Sequence, residues 1–321
     1  MGAFGLQTHI WNNNLKSVVL LAGFPVLLLL LMYGLSVGYV GLVEPIDSVG
    51  EGMVLAFDHM KRLWPFALLG AGLWFVIAFF SYQSMIEASV GARSLTRKEA
   101  PELYNLLENL CVSRGLTMPQ LNIIESDALN AFASGLTEKS YKVTVTRGLI
   151  ETLDRDELEA VLAHELTHIM NRDVRLLIIA VIFVGVFSFF GELVFRNMFR
   201  SGIRVGGHTR SRNGDSRGGG VLILIAIAMI VIAYLLALVI RFSLSQKREY
   251  LADAGAAELT RNPDAMISAL RKISGNSRID APNDVQQMMV ENTQPFAGVF
   301  ATHPPIDKRI AALVKFAGGV Q

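Results

Sequence analysis

The pentapeptide His164-Glu165-Leu166-Thr167-His168 carries the side chains of this chain best suited to chemistry. On a helix of about 3.6 residues per turn, positions four apart share a face, so both imidazoles can bind one cation. Glu165 lies beside them, where its carboxylate reaches water held at the metal rather than the metal itself. That is the place of a general base in metal-assisted peptide hydrolysis. HExxH on a helix is the pattern of a zinc peptidase. A catalytic zinc takes three protein ligands and keeps a fourth position for water, so one ligand must come from elsewhere.

Spacing picks out Glu249. His168 precedes the core of one long apolar segment by eight residues, and Glu249 follows the next such segment by nine. At ~1.5 Å per residue both then lie ~12 to 14 Å beyond the same membrane face, if the helices continue. Two antiparallel spans would carry His164, His168 and Glu249 to one point. Asp253 stands one turn after Glu249, where it can accept the free N–H of a ligating histidine and fix its tautomer.

The elements that must position these groups belong in a bilayer. The chain is 52% hydrophobic and 18% charged, with a mean hydropathy of +0.42. Four apolar runs are long enough to cross a hydrocarbon core of ~30 Å, at about 18–43, 63–82, 174–195 and 221–240. A net charge of +1 without a basic stripe gives no reason to expect nucleic acid. Cys111 excludes an internal disulfide framework, and its amphipathic window makes it a packing residue.

Between the spans the pattern is that of an α+β domain. Residues 1–92 form a transmembrane hairpin whose connecting loop is expected over Glu44–Arg62; residues 93–321 form a second domain interrupted by the hairpin of spans three and four. Thr96-Arg97-Lys98-Glu99 has the form of a capping box, followed by leucines at helical spacing until Gly115. Short strands are predicted at Leu121–Glu125 and Tyr141–Thr146, the latter alternating in polarity. Between them SDALNAFASG suits a turn into an edge strand, to which an extended peptide could add by backbone hydrogen bonds. Asp154 with Glu157 caps the helix carrying HExxH, and Asn262-Pro263 opens another. The loop Arg196–Gly220 carries six Arg against one Asp, which works against a cytoplasmic catalytic side, whereas the remaining Lys and Arg near segment ends narrowly favour it.

Taken together, HELTH, a membrane segment pair, EYLAD and then THPPIDKRI resemble the HtpX-type heat-shock endopeptidases, relatives of the CAAX prenyl proteases within the gluzincin class. The resemblance covers nearly the whole chain. It implies a mainly α-helical integral membrane protein, with four transmembrane helices and an α+β gluzincin-like zinc metallopeptidase domain built on a small sheet. It implies one Zn2+ per chain held by His164, His168 and Glu249, with Glu165 as catalytic base and Asp253 behind a ligand. The segment Asn130, Ala131, Phe132, Ala133, Ser134 and Gly135 would form the substrate edge. His303 and Arg309 would lie near the site, to position substrate or stabilise the oxyanion. Location in the bacterial plasma membrane with the catalytic domain facing the cytoplasm, and unfolded or damaged membrane proteins as substrates, follow as further implications. The alternatives are a CAAX-type prenyl protease, which carries more spans, and a non-catalytic zinc-binding membrane scaffold or transporter. A structural zinc normally closes its coordination with a fourth Cys or His, and none lies near these motifs.

Overall fold

A computed structural model describes residues 6–179, 182, 217–242, 246–279, 288–290 and 304–317. The chain divides into two compact units. One comprises Met1–Ser17, Phe80–Ile179 and Phe242–Gln321; the other comprises Val18–Phe79 and Ala180–Arg241.

Helix α1 spans Leu6–Val43 and α2 spans Val49–Val90. With Gly218–Leu236 of helix α6 (Arg217–Phe242), these supply three segments long and apolar enough to cross a membrane among the described residues. The span expected at 174–195 lies mostly outside those residues. Within the apolar unit Val37, Val40, Ala56, Leu222 and Ala226 pack together. Gly34, Gly38 and Gly41 let α1 approach α6 closely, facing Met229, Ala226 and Leu222. Large apolar side chains such as Phe66, Leu69 and Leu73 on α2 stay uncovered, a surface suited to hydrocarbon.

The loop expected over Glu44–Arg62 is much shorter, because helix begins at Val49. Its start is capped by Ser48, a signal not used in the sequence analysis, with Glu51 reaching back one residue beyond the cap. Ser48 Oγ accepts from the Glu51 N–H at 3.2 Å, and the Glu51 carboxylate accepts from the Asp47 N–H at 3.0 Å. At its other end α2 runs past the apolar stretch into the catalytic unit. There Gln83 donates to Ser134 Oγ at 3.1 Å and Glu87 pairs with Lys142.

The sheet has the order β1-β2-β4-β3, from β1 (Arg93–Ser94), β2 (Gln120–Ile124), β3 (Ala131–Ser134) and β4 (Lys142–Thr146). β2 and β4 are parallel, with Leu121 opposite Val143; β3 is antiparallel to β4, with Phe132 opposite Thr144. The two predicted strands and the edge strand between them thus all form. Gly135 ends β3 at φ +127°, where a Cβ would meet the Tyr141 backbone at 2.6 Å, so only glycine fits.

Helix α3 (Pro101–Arg114) opens on proline rather than on the Thr96 box, of which only the Glu99 half forms, accepting from the Thr96 N–H at 2.8 Å. It buries Leu103, Leu106, Leu107, Leu110 and Cys111, whose thiol burial pushes up to about 11. The short α4 (Arg147–Thr152) leads into α5 (Arg155–Met170), which carries HExxH and has both halves of the Asp154–Glu157 capping box. Helices α7 (Gln246–Thr260) and α8 (Pro263–Ile273) pack on α5, and α9 (Ile306–Phe316) closes against α7 and α8. Asn262 caps α8 by accepting from the Ala265 N–H at 3.1 Å, with Pro263 at the first position as expected.

Candidate metal centre

Helix α5 is almost wholly enclosed along the face that matters: His164 and Glu165 are each 1% exposed. Its register is held at the start by Glu157. That carboxylate closes the capping box and also takes Ser268 Oγ and Lys272 Nζ of α8, each at 2.6 Å. Although burial opposes ionisation, Lys272, Ser268 and the Asp154 N–H keep the Glu157 carboxyl below the ordinary glutamate range.

Helix α7 crosses α5 at Gly255. A Cβ there would lie 2.5 Å from Thr167 Cγ2, so hydrogen alone fits. Thr167 cannot yield easily, because its hydroxyl donates to the Ala163 carbonyl at 2.8 Å. This close crossing brings Glu249, near the start of α7, over both imidazoles.

His164, His168 and Glu249 each direct one ligand atom into a group within 4.8 Å of one another. His164 Nε2 and His168 Nε2 are 3.2 Å apart; Glu249 stands 3.7 Å from the first and 3.5 Å from the second. These separations, the last two to Glu249 Oε2 and Oε1 respectively, lie close to the ~3.3–3.6 Å between neighbouring donors of a tetrahedral site with ligand bonds of ~2.0–2.2 Å. The rings cross at 88°, so their lone pairs converge instead of stacking.

The outer nitrogens fix which atoms converge. His164 Nδ1 lies 3.0 Å from Asp253 Oδ1, and His168 Nδ1 lies 3.1 Å from Asp173 Oδ2. Asp173 accepts from His168 Nδ1 and so leaves that ring's Nε2 facing inward, while Asp253 sets a negative charge behind His164. Two inward Nε2 atoms and a carboxylate at these distances need a positive charge among them, a proton or a metal ion. The electrostatics agree. Burial works against charge on His164, yet Asp253 and Glu249 prevail and raise it to about 9. Four carboxylates, Glu165, Asp173, Glu249 and Asp253, gather here against the buried guanidinium of Arg309. The donor set of two imidazoles and one carboxylate fits a divalent transition metal such as zinc.

Glu165 lies outside the ligand triangle, in a cleft lined by Ala133, His168, Arg248, Glu249 and Met288. Burial pushes its carboxyl above the ordinary value, while the two histidines and the Ala133 backbone pull the other way. A carboxylate poised in this manner is closer to the basicity that proton transfer near neutral pH requires.

Arg309 differs from the expectation. It is wholly buried, and its Nε and Nη2 hold Asp253 at 2.9 and 2.6 Å, while Nη1 donates to the Val290 carbonyl at 2.8 Å. The guanidinium is charged despite burial because Asp253 and Glu249 face it. It meets the site through Asp253, with three of its five N–H donors engaged in these bonds. His303 lies outside the described residues.

The edge around β3 is also partly taken. Phe132 bridges Met289, and the Val290 N–H donates to the Ala131 carbonyl at 3.0 Å. Asn130 is fully buried and structural: its Oδ1 accepts from Ala131 and Val290 N–H groups, and its Nδ2 donates to the Ser277 carbonyl. Ser134 accepts from Gln83. Of the six residues expected to form the substrate edge, Ala133 is the one that lines the cleft beside Glu165.

Sequence reasoning missed Asp173 and Arg248. Arg248 sits next to Glu249 in the chain, lines the cleft, and donates to the Asp173 carbonyl at 3.3 Å. Its adjacency to a proposed ligand was the available signal.

Comparisons with known proteins bear on this geometry. Residues 97–317 match the model of peptidase family M48. A protease HtpX homolog of Bacteroides fragilis is 47% identical over 97% of this chain and 99% of its own length. One of Listeria monocytogenes is 35% identical over 96% of this chain and 99% of its own length. The crystal structure of S. mikatae Ste24p, at 20% identity and a TM-score of 0.43, aligns with 95% of this chain and 66% of that one. The HExxH helix and Glu249 both fall inside the matched region, and the chain belongs to peptidase family M48, as a metalloprotease with membrane-spanning helices.

Proposed function

We propose that the chain is a zinc endopeptidase that cuts unfolded or damaged membrane proteins as part of stress-response quality control. One observation carries this: two Nε2 atoms and the Glu249 carboxylate converge within 4.8 Å of one another, with the Glu165 carboxylate lining the cleft beside them. His164, His168 and Glu249 would hold the ion. Zinc bound there supplies Lewis acidity, lowering the pKa of water and polarising the scissile carbonyl.

The remaining work falls to the chain's own side chains. Glu165 takes the proton of the attacking water and returns it to the departing amine, so no covalent acyl intermediate forms on the protein. Asp253, clamped by Arg309, sets its carboxylate 3.0 Å behind His164 Nδ1, where it favours a proton on that nitrogen. The backbone of Ala133 is the element beside Glu165 along which an extended substrate would lie. Recognition through backbone hydrogen bonds is indifferent to sequence and sensitive to unfolding, which suits a quality-control substrate. We place the chain in the bacterial inner membrane with this cleft on the cytoplasmic side.

The test is cleavage of one membrane protein presented folded and unfolded, beside a prenylated CAAX peptide, by protein in proteoliposomes. The expected result is zinc-dependent cutting of the unfolded form at internal bonds. Activity confined to the prenylated peptide would replace this reading with that of a prenyl protease.

A further inference from the structure

We propose that Asp173 is a positioning residue for the metal centre, and that the left-handed turn at Arg172 exists to deliver it. This inference rests on the metal reading given above. Five residues on from His168 in a continuous helix, a side chain would lie about 140° around the axis and ~7.5 Å along it, out of reach of the ring. Yet Asp173 Oδ2 stands 3.1 Å from His168 Nδ1, and Asp173 is 3% exposed.

The reason is a break in the helix. Helix α5 ends at Met170, Asn171 closes the last turn onto the Thr167 carbonyl at 2.9 Å, and Arg172 takes φ +59°. Helical structure resumes at residue 173, with the Leu176 N–H on the Arg172 carbonyl at 3.2 Å. The single reversal swings Asp173 back over His168. Arg172 is a non-glycine residue in the left-handed region, a conformation that L side chains adopt uncommonly. The turn is braced from the far side of the sequence, since Arg248 donates to the Asp173 carbonyl at 3.3 Å.

The two ligating rings thus have separate anchors. Asp253 of α7 lies 3.0 Å from His164 Nδ1, and Asp173 of the turn is hydrogen-bonded to His168. With its proton kept on Nδ1, His168 offers Nε2 to the ion in a fixed orientation, and losing such a partner typically weakens metal binding 10- to 100-fold.

Zinc affinity of the full-length protein in detergent, measured by chelator competition, tests this without reference to proteolysis. Asp173→Asn and Asp173→Ala are expected to weaken zinc binding by about 10- to 100-fold, with melting of the metal-free protein little changed, and Asp173→Glu is expected to recover part of the loss. Arg172→Gly, which relaxes the turn without removing the carboxylate, is expected to bind zinc within about twofold of the native chain. Zinc affinities of the Asp173 variants within twofold of native would overturn the assignment. A second measurement needs no variant: in the zinc-loaded native chain carrying 15N-histidine, the His168 proton is expected on Nδ1, and finding it on Nε2 overturns the assignment equally. A native chain that binds no zinc would instead sink the metal reading itself.

Discussion

The crossing of α5 and α7 at Gly255 offers a test in which metal binding and stability separate. In Gly255→Ala the new methyl would stand 2.5 Å from Thr167 Cγ2 and 2.9 Å from its Oγ1. Carbon atoms in contact prefer ~3.5–4.0 Å, so the helices must part by about 1 Å. Overpacking of this kind costs about 1–3 kcal/mol, and alanine's better helix propensity returns up to ~1 kcal/mol, so the net loss of stability is about 0–2 kcal/mol. Metal geometry tolerates far less, because ligand distances must hold within about 0.2 Å. Zinc affinity is therefore expected to fall by about tenfold or more, while unfolding of the metal-free protein loses no more than those ~2 kcal/mol. Thr167→Ala removes both obstructing atoms, so the double variant is expected to regain zinc affinity to within about threefold of native, a coupling of ~1 kcal/mol or more between neighbours. Chelator competition and thermal unfolding on the same samples read both quantities. Native zinc affinity in Gly255→Ala, or a double variant no better than the single one, refutes the claim that this contact sets the position of Glu249.

Glu157 gives a pH-dependent test of how α5 is anchored. Its folded pKa lies below the unfolded value, so it stabilises the protein above about pH 4.5 and that stability is lost as pH falls through the folded value. In metal-free protein, Glu157→Gln is expected to cost about 2–3 kcal/mol at pH 7, with the difference closing as pH falls through the folded value, which lies below 4.5. A difference that is the same at both pH values would remove the ion pair from the account. For Arg309, both methionine and lysine substitutions are expected to destabilise. Methionine leaves Asp253 and Glu249 without their buried cation, at about 3–5 kcal/mol, and lysine lacks the fork that spans both Asp253 oxygens. A lysine variant with native melting and native zinc affinity would contradict the bidentate role.

The group of His164, His168 and Glu249 was legible, the histidines from helical periodicity and Glu249 from its spacing after the apolar segment at 221–240. Capping signals were equally local, and Asp154, Glu157 and Asn262 act as their spacing predicts. Asp173 was not legible, since its approach depends on a left-handed residue at Arg172, a type that carries no propensity for that conformation. Gly255 was silent for a similar reason: a glycine inside a helix says nothing about which side chain will press on it. The early start of α2 was legible and overlooked, because the charges of residues 51–62 suggested a loop where Ser48 and Glu51 form a cap. Arg309 was recognisable as a site residue by resemblance, but its burial, and so its work through Asp253, needed coordinates. Asn130 follows the same pattern: the motif marked the strand, and only the return of Val290 onto it revealed a structural hub.

The most direct test of the central claim compares zinc content and proteolysis in the native protein and Glu165→Gln, purified in detergent and supplied with an unfolded substrate. One zinc per chain in both, with cleavage by the native protein alone, is the outcome expected if His164, His168 and Glu249 hold the ion and Glu165 moves the proton. A Glu165→Gln protein that still cleaves at the native rate, or a native protein that cleaves with no metal bound, would contradict it.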